Sequence, residues 1–132
     1  MNEVFKQFRD KAQFVFVYIR EAHPTDGWQV GDNQRDGVLY RQPQSLEERG
    51  QVCLLAAERL KLGMLTVVDG MDNKTDADYG AWPERLYVVD KQGLIAYKGQ
   101  PGPGGFNPRE LAESLARFLA RPDQQLTSPP AP

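Results

Sequence analysis

Apolar residues Val4, Phe5, Phe8 and Ala12 recur at helical spacing among charged neighbours, which predicts a short amphipathic helix over 4–12. Phe14 to Ile19 (FVFVYI) is an unbroken run of aromatic and β-branched residues, the composition of a strand covered on both faces. Residues 22–44 show no periodicity and read as one long loop, and a loop of that length inside a compact domain tends to carry function. Ser45 and Glu48 have the spacing of a capping box. The stripe Leu46, Cys53, Ala56, Ala57, Leu60 then predicts a helix that stops at Gly63. Met64 to Asp69 (MLTVVD) is a second buried-type strand, so a strand, helix, strand unit with parallel strands and a right-handed crossover is expected.

Asp72 and Asn73 are placed to cap a short helix through Tyr79. Arg85 to Val89 and Leu94 to Lys98, separated by Asp90 to Gly93, predict an antiparallel hairpin. After the Gly- and Pro-rich stretch 99–106, Asn107, Pro108 and Glu110 open a helix with Leu111, Leu115, Phe118 and Leu119 on one face, ending near Arg121. This order is the lower part of an α/β, thioredoxin-like, three-layer α/β/α fold. Pro83 stands where that fold commonly sets a cis-proline beside its active site. Residues 1–121 form one domain. The remainder, 122–132, holds four of the ten prolines and almost nothing to bury, and is expected to be a disordered tail.

Composition narrows the chemistry. The 132 residues include 16 Lys plus Arg against 18 Asp plus Glu, a net charge of −2, so a non-specific grip on nucleic acid or anionic lipid lacks its electrostatic term. One cysteine, Cys53, and one histidine, His23, allow no internal disulfide, no CxxC motif and no conventional zinc site. The first residues, MNEVFKQFRDK, carry both charges and no long apolar run, so neither secretion signal nor membrane anchor is expected and the cytoplasm is the default.

The densest polar cluster is Tyr18, Glu21, His23 and Asp26, at and just beyond the carboxyl end of the first strand, the edge where parallel sheets place ligands. A carboxylate two residues from an imidazole can orient it or exchange a proton with it, and free histidine titrates near ~6.5. The alternative is that His23 and Asp26 merely build a turn with Pro24 and Gly27. Cys53 lies mid-helix on the apolar stripe, two turns from the helix N-terminus, and reads as an inert core thiol. The acidic stretch 69–78 fails as a calcium loop because Lys74 and Gly80 fall where oxygen ligands are needed. The 99–106 loop has no GK[ST], and no GxSxG elbow exists. Arg85, just after Pro83, could pair with a substrate anion at the same sheet edge.

The segments VYIREAHPTDGW (17–28), DGMDN (69–73), YGAWPERLYVV (79–89) and YKGQPGPGGFNPREL (97–111) together resemble the iodothyronine deiodinase family, in particular soluble, microbial-type members. The resemblance runs over about residues 3–120 and implies a thioredoxin-like fold and reductive deiodination. In that reaction a selenocysteine or cysteine attacks ring iodine and thiols restore the enzyme. It implies that Glu21 and His23 are the proton-relay carboxylate and imidazole, that Tyr18 lines the relay and that Arg85 belongs to the substrate site. Trp28 lies in the matched motif without an assigned role.

Its partners would be an iodophenolic or other halogenated aromatic substrate and a thiol reductant, with homodimers common in the family. No bound cofactor is implied. Animal members carry a second histidine before the SLE(D/E)R helix, where Gln42, Pro43 and Gln44 stand here, and they have a membrane anchor. The family's first core strand and its selenocysteine or cysteine turn precede the helix with which this sequence begins, so the nucleophile is expected upstream. That strand is expected between strands 14–19 and 64–69, so that its loss leaves two unpaired edges in the middle of the core. Two further functions stay open: a peroxide- or disulfide-reducing thiol enzyme, and a non-catalytic thioredoxin-like binding module.

Overall fold

A computed structural model describes residues 1–121, so the tail expected at 122–132 lies outside the described residues. The order is α1 (Asn2–Phe8), β1 (Val15–Tyr18), α2 (Gly31–Asp36), α3 (Leu46–Arg59), β2 (Leu65–Val68), α4 (Lys74–Tyr79), β3 (Tyr87–Val89), β4 (Ile95–Lys98) and α5 (Pro108–Leu119). This is a mixed α/β fold. No helix among the described residues is long and apolar enough to cross a membrane.

The apolar periodicity of α1 buries Val4 and Phe8 against Val88 of β3 and Leu111 and Leu115 of α5, with Phe14, Leu86 and Tyr97 packed around them. The helix stops four residues short of Ala12: the N–H groups of Lys11 and Ala12 both return to the Phe8 carbonyl and close a turn. β3 and β4 pair antiparallel, with a bulge between Val88 and Val89. Their turn is held by the Asp90 carboxylate, which accepts from the N–H groups of Gln92 and Leu94 at 2.9 and 2.8 Å. α5 opens as its sequence predicts, with Asn107 Oδ1 accepting from Glu110 N and Pro108 in the first turn.

β1 and β2 pair directly and in parallel, Val15 opposite Leu65 through Tyr18 opposite Val68. This corrects the expectation of a gap between these two strands. A strand, helix, strand unit lays its strands side by side, and α3 is the crossover that does so here. The described strands therefore form two separate two-stranded sheets, and β1 and β3 each keep one edge without a strand partner among the described residues.

Ser45 caps α3 by accepting from Glu48 N at 3.1 Å, while the Glu48 carboxylate reaches one residue further back than a standard box, to Gln44 N. The buried face of α3 is Arg49 and Cys53; Leu46 and Leu60, counted in the apolar stripe, are each 55% exposed. The region 22–44 is not wholly irregular either, because it contains α2, which ends on Gly37 in the left-handed conformation.

Candidate functional site

The carboxyl ends of β1 and β2 are tied together by buried polar groups. Arg49, 2% exposed, reaches from α3 to donate to the carbonyls of Asp69 and Gly70. Asp69, 3% exposed, accepts from Thr75 N and Asp76 N at 3.0 and 2.9 Å. It thereby joins the capping expected of Asp72 and Asn73: Asp72 Oδ1 accepts from Lys74 N at 3.3 Å, while the Asn73 side chain makes no cap bond. Burial pulls the Asp69 carboxyl upward, but the bonds from Asp76, Thr75 and Gly70 outweigh it and hold the group below the usual carboxylate range. Asp76, also buried, accepts from Trp82 N and pairs with Arg20 at 2.8 Å, and the Arg20 guanidinium lies 5.7 Å from the centroid of the Trp82 ring. The end of β1 is thus anchored to the turn holding the cis Trp82–Pro83 peptide, as expected of Pro83.

Against this frame stand Tyr18, Glu21 and His23. Tyr18 closes β1 and is nine-tenths buried, and its hydroxyl has no hydrogen-bond partner among the described residues. Glu21 and Tyr18 line one cleft of about 620 Å³ between β1, the 22–44 region and α3. Burial raises the Glu21 carboxyl above its ordinary value, partly offset by the nearby His23. The ring of His23 meets that of Trp28 edge-on at 4.6 Å, and its Nδ1 lies 3.2 Å from the Trp28 carbonyl oxygen. Because a carbonyl can only accept, this bond puts the proton on Nδ1 and leaves Nε2 to take or give one. Trp28 gains a role here: it fixes the tautomer and the tilt of His23.

The 22–44 excursion is pinned at its ends. Thr25 N donates to Tyr40 O, and Gln42 N donates to Asp26 Oδ1 at 2.9 Å. The Gln42 side chain pairs with the main chain of Glu21 in both directions, accepting from Glu21 N at 3.0 Å and donating to Glu21 O at 3.1 Å. The bond from Gln42, with Arg41 alongside, lowers the Asp26 carboxyl despite some desolvation. Further along, Arg59 of α3 donates to the carbonyls of Asp36 and Gly37 and clamps the end of α2 onto α3.

Of the four expected site residues, Tyr18 and Glu21 line one cleft, and His23 lies near enough to Glu21 for their charges to interact. Arg85 does not join them through any contact: its Nε donates to Gly99 O at 2.8 Å and its Nη1 to Gly80 O at 3.1 Å, beside the Tyr87 ring. Gly80 ends α4 at positive φ, a conformation in which a side chain would be strained and would crowd Arg85. Cys53 is 2% exposed and its thiol is pushed up by burial, the opposite of an activated nucleophile.

The sequence profile of the family described as Iodothyronine deiodinase matches residues 1–119. The chain belongs to that family. It is 39% identical over 117 residues to Thyroxine 5-deiodinase of Sparus aurata, a match covering 89% of this chain and 42% of that protein. To Thyroxine 5-deiodinase of Homo sapiens it is 38% identical over 123 residues, covering 93% of this chain and 37% of the relative. To Type I iodothyronine deiodinase of Xenopus laevis it is 36% identical over 119 residues, covering 88% and 44%. This deiodinase-family chain spans about two fifths of the length of these curated relatives.

Proposed function

We propose that this protein works as a deiodinase-like oxidoreductase, removing iodide from iodothyronine-like or other iodophenolic substrates with a thiol as reductant. A selenolate or thiolate takes iodine from the ring, and the electron pair of the broken carbon–iodine bond stays on carbon, which gains a proton. One thiol then displaces iodide from the selenium or sulfur, and a second releases the thiol as a disulfide. The sum is one aryl iodide and two thiols giving arene, iodide, disulfide and a proton. His23, with Nε2 free, and Glu21, with its raised carboxyl, handle the proton; Tyr18 lines the relay, and Arg85 holds the substrate's anionic end.

The observation that carries the reading is the convergence of Tyr18, Glu21 and a tautomer-fixed His23 at the carboxyl end of a parallel strand. The nucleophile belongs to a segment outside this sequence, since the one sulfur nucleophile within it, Cys53, is buried and deactivated. Two-stranded sheets are marginal alone. A further strand between the free edges of β1 and β3 would join the two sheets into one thioredoxin-like sheet and bring its carboxyl end beside Tyr18.

The test is twofold. The genomic sequence immediately upstream should encode, in frame, a hydrophobic strand followed by a selenocysteine or cysteine codon. Protein extended to include it should release iodide from an iodophenol in the presence of a dithiol, while the 132-residue chain releases none. Absence of such a codon rejects the upstream nucleophile. Turnover of peroxide or disulfide without iodide release would shift the assignment to a different thiol enzyme, and no turnover of either to a binding module.

A further inference from the structure

Glu21, His23 and Arg85 sit on two short segments, and one carboxylate stands between the two. Arg20 follows β1 and leads into Glu21 and His23, while Trp82 follows α4 and leads into Arg85. Asp76 of α4 offers one oxygen to each side. Its Oδ2 accepts from Arg20 Nε at 2.8 Å, and its Oδ1 accepts from Trp82 N at 3.0 Å. The Arg20 guanidinium also lies over the Trp82 ring, 5.7 Å from its centroid, so the two segments meet directly as well.

The carboxylate is itself held in place. Asp76 is buried, and its N–H donates to the Asp69 carboxylate at 2.9 Å. Asp69 N in turn donates to Tyr18 O at 2.8 Å, which fixes α4 to the ends of both β1 and β2. A hydrogen bond between a guanidinium and a carboxylate is about twice as strong as a neutral one, and a buried carboxylate with two partners defines where both must lie. No strand ladder does this instead. β1 ends at Tyr18 and β3 begins at Tyr87, so residues 20–23 and 82–85 lie beyond the strands, and β1 and β3 are not paired with each other among the described residues.

We propose that Asp76 is a positioning residue: through Arg20 and Trp82 it fixes the segment bearing Glu21 and His23 against the segment bearing Arg85. What those residues act on rests on the function proposed above; the junction rests on its own three contacts. A consequence for specificity follows. A substrate with a carboxylate end must meet Arg85 and the Glu21–His23 pair at once. One without that end meets the pair alone, and Gln42 holds Glu21 independently of Asp76. Loosening the junction therefore penalises the first kind of substrate and spares the second.

NMR on the full chain tests the junction itself. Arg20→Ala should move the amide resonances of residues 82–85, although they are remote in sequence, and Asp76→Ala should speed amide exchange at Trp82 by at least ~10-fold. Asp76→Asn keeps a single acceptor oxygen, so it should protect Trp82 N–H or Arg20 Nε–H but not both. Lys74→Ala, which breaks the exposed pair with Asp78 on the same helix, should leave both unchanged. Should Asp76→Ala fail to fold, Arg20→Ala carries the test, because that side chain is half exposed. Resonances of 82–85 that do not respond to Arg20→Ala overturn the junction.

In the extended protein, Asp76→Asn should lower kcat/KM for an ortho-iodophenol carrying a propanoate tail by about 10- to 100-fold, and should change that of ortho-iodophenol itself by less than ~3-fold. An equal loss for both substrates makes Asp76 a structural residue only and overturns the positioning role. Wild-type protein that releases iodide from neither refutes the function proposed above, and the NMR result then decides the junction alone.

Discussion

Gln42 is the residue whose removal should disturb the site most without touching its chemistry. Its side chain forms two hydrogen bonds with the Glu21 main chain, at 3.0 and 3.1 Å, across 21 residues of sequence. Each such bond contributes ~0.5–1.5 kcal/mol net, so Gln42→Ala should free the Glu21 segment by about 1–3 kcal/mol. One to three kcal/mol corresponds to about 5- to 150-fold in a local opening equilibrium, and amide hydrogen exchange at Glu21 should speed up by that factor. Gln42→Glu sharpens the test. Its carboxylate still accepts from Glu21 N, but it places a second negative oxygen against the Glu21 carbonyl where a donor stood. At neutral pH it should therefore behave at least as badly as alanine, and below about pH 4, once protonated, it should recover part of the protection. Gln29→Ala, which removes an exposed bond to Thr25 O within the same loop, serves as the control. Glu21 exchange within twofold of wild type in Gln42→Ala would refute the latch.

Asp69→Ala removes two charge-assisted bonds at a buried carboxylate, each worth ~1.5–3 kcal/mol, and should cost about 3–6 kcal/mol in urea denaturation. Because the folded Asp69 carboxyl sits below its free value, its stabilisation is present above about pH 4 and is lost as pH falls through the folded pKa. The difference between wild type and Asp69→Asn should shrink accordingly in acid, and a pH-independent difference would contradict this. Glu21 has the opposite sign. Its raised carboxyl favours folding below the free pKa, and that contribution disappears as pH rises through the folded value. Glu21→Gln should therefore be more stable than wild type at pH 8 and lose that advantage by about pH 4; a denaturation midpoint moving equally at both pH values argues against a desolvated carboxyl. Cys53 should react with a thiol reagent only as fast as the protein unfolds, and rapid labelling of native protein would contradict its burial at 2% exposure.

The strands and the two longer helices were legible because their signals are local: FVFVYI, MLTVVD, the Ser45 cap and the Asn107–Pro108 start act within a few residues. Where long-range bonds decide, the pattern misled. Arg49, to which the apolar pattern of α3 assigns no part, is buried because it donates to the carbonyls of Asp69 and Gly70. The sequence GDNQRD has no apolar stripe, and α2 is fastened through Arg59, 22 and 23 residues away in sequence. The free edges were expected beside the wrong strand, since apolar composition tells that a strand is covered but not by which neighbour. Tyr18, Glu21 and His23 stand out in the sequence as polar residues close together after an apolar strand, whereas Gln42 and Trp28, which bond to the main chain of Glu21 and to the ring of His23, carry no periodic or compositional mark.

The most direct test of the account is the rate of iodide release from an iodophenolic substrate by the upstream-extended protein, compared between wild type and His23→Ala at saturating dithiol. If Nε2 of His23 moves the proton that the ring carbon gains, the rate should fall by ~10²–10⁴. Turnover unchanged by the substitution would contradict the central role given to His23.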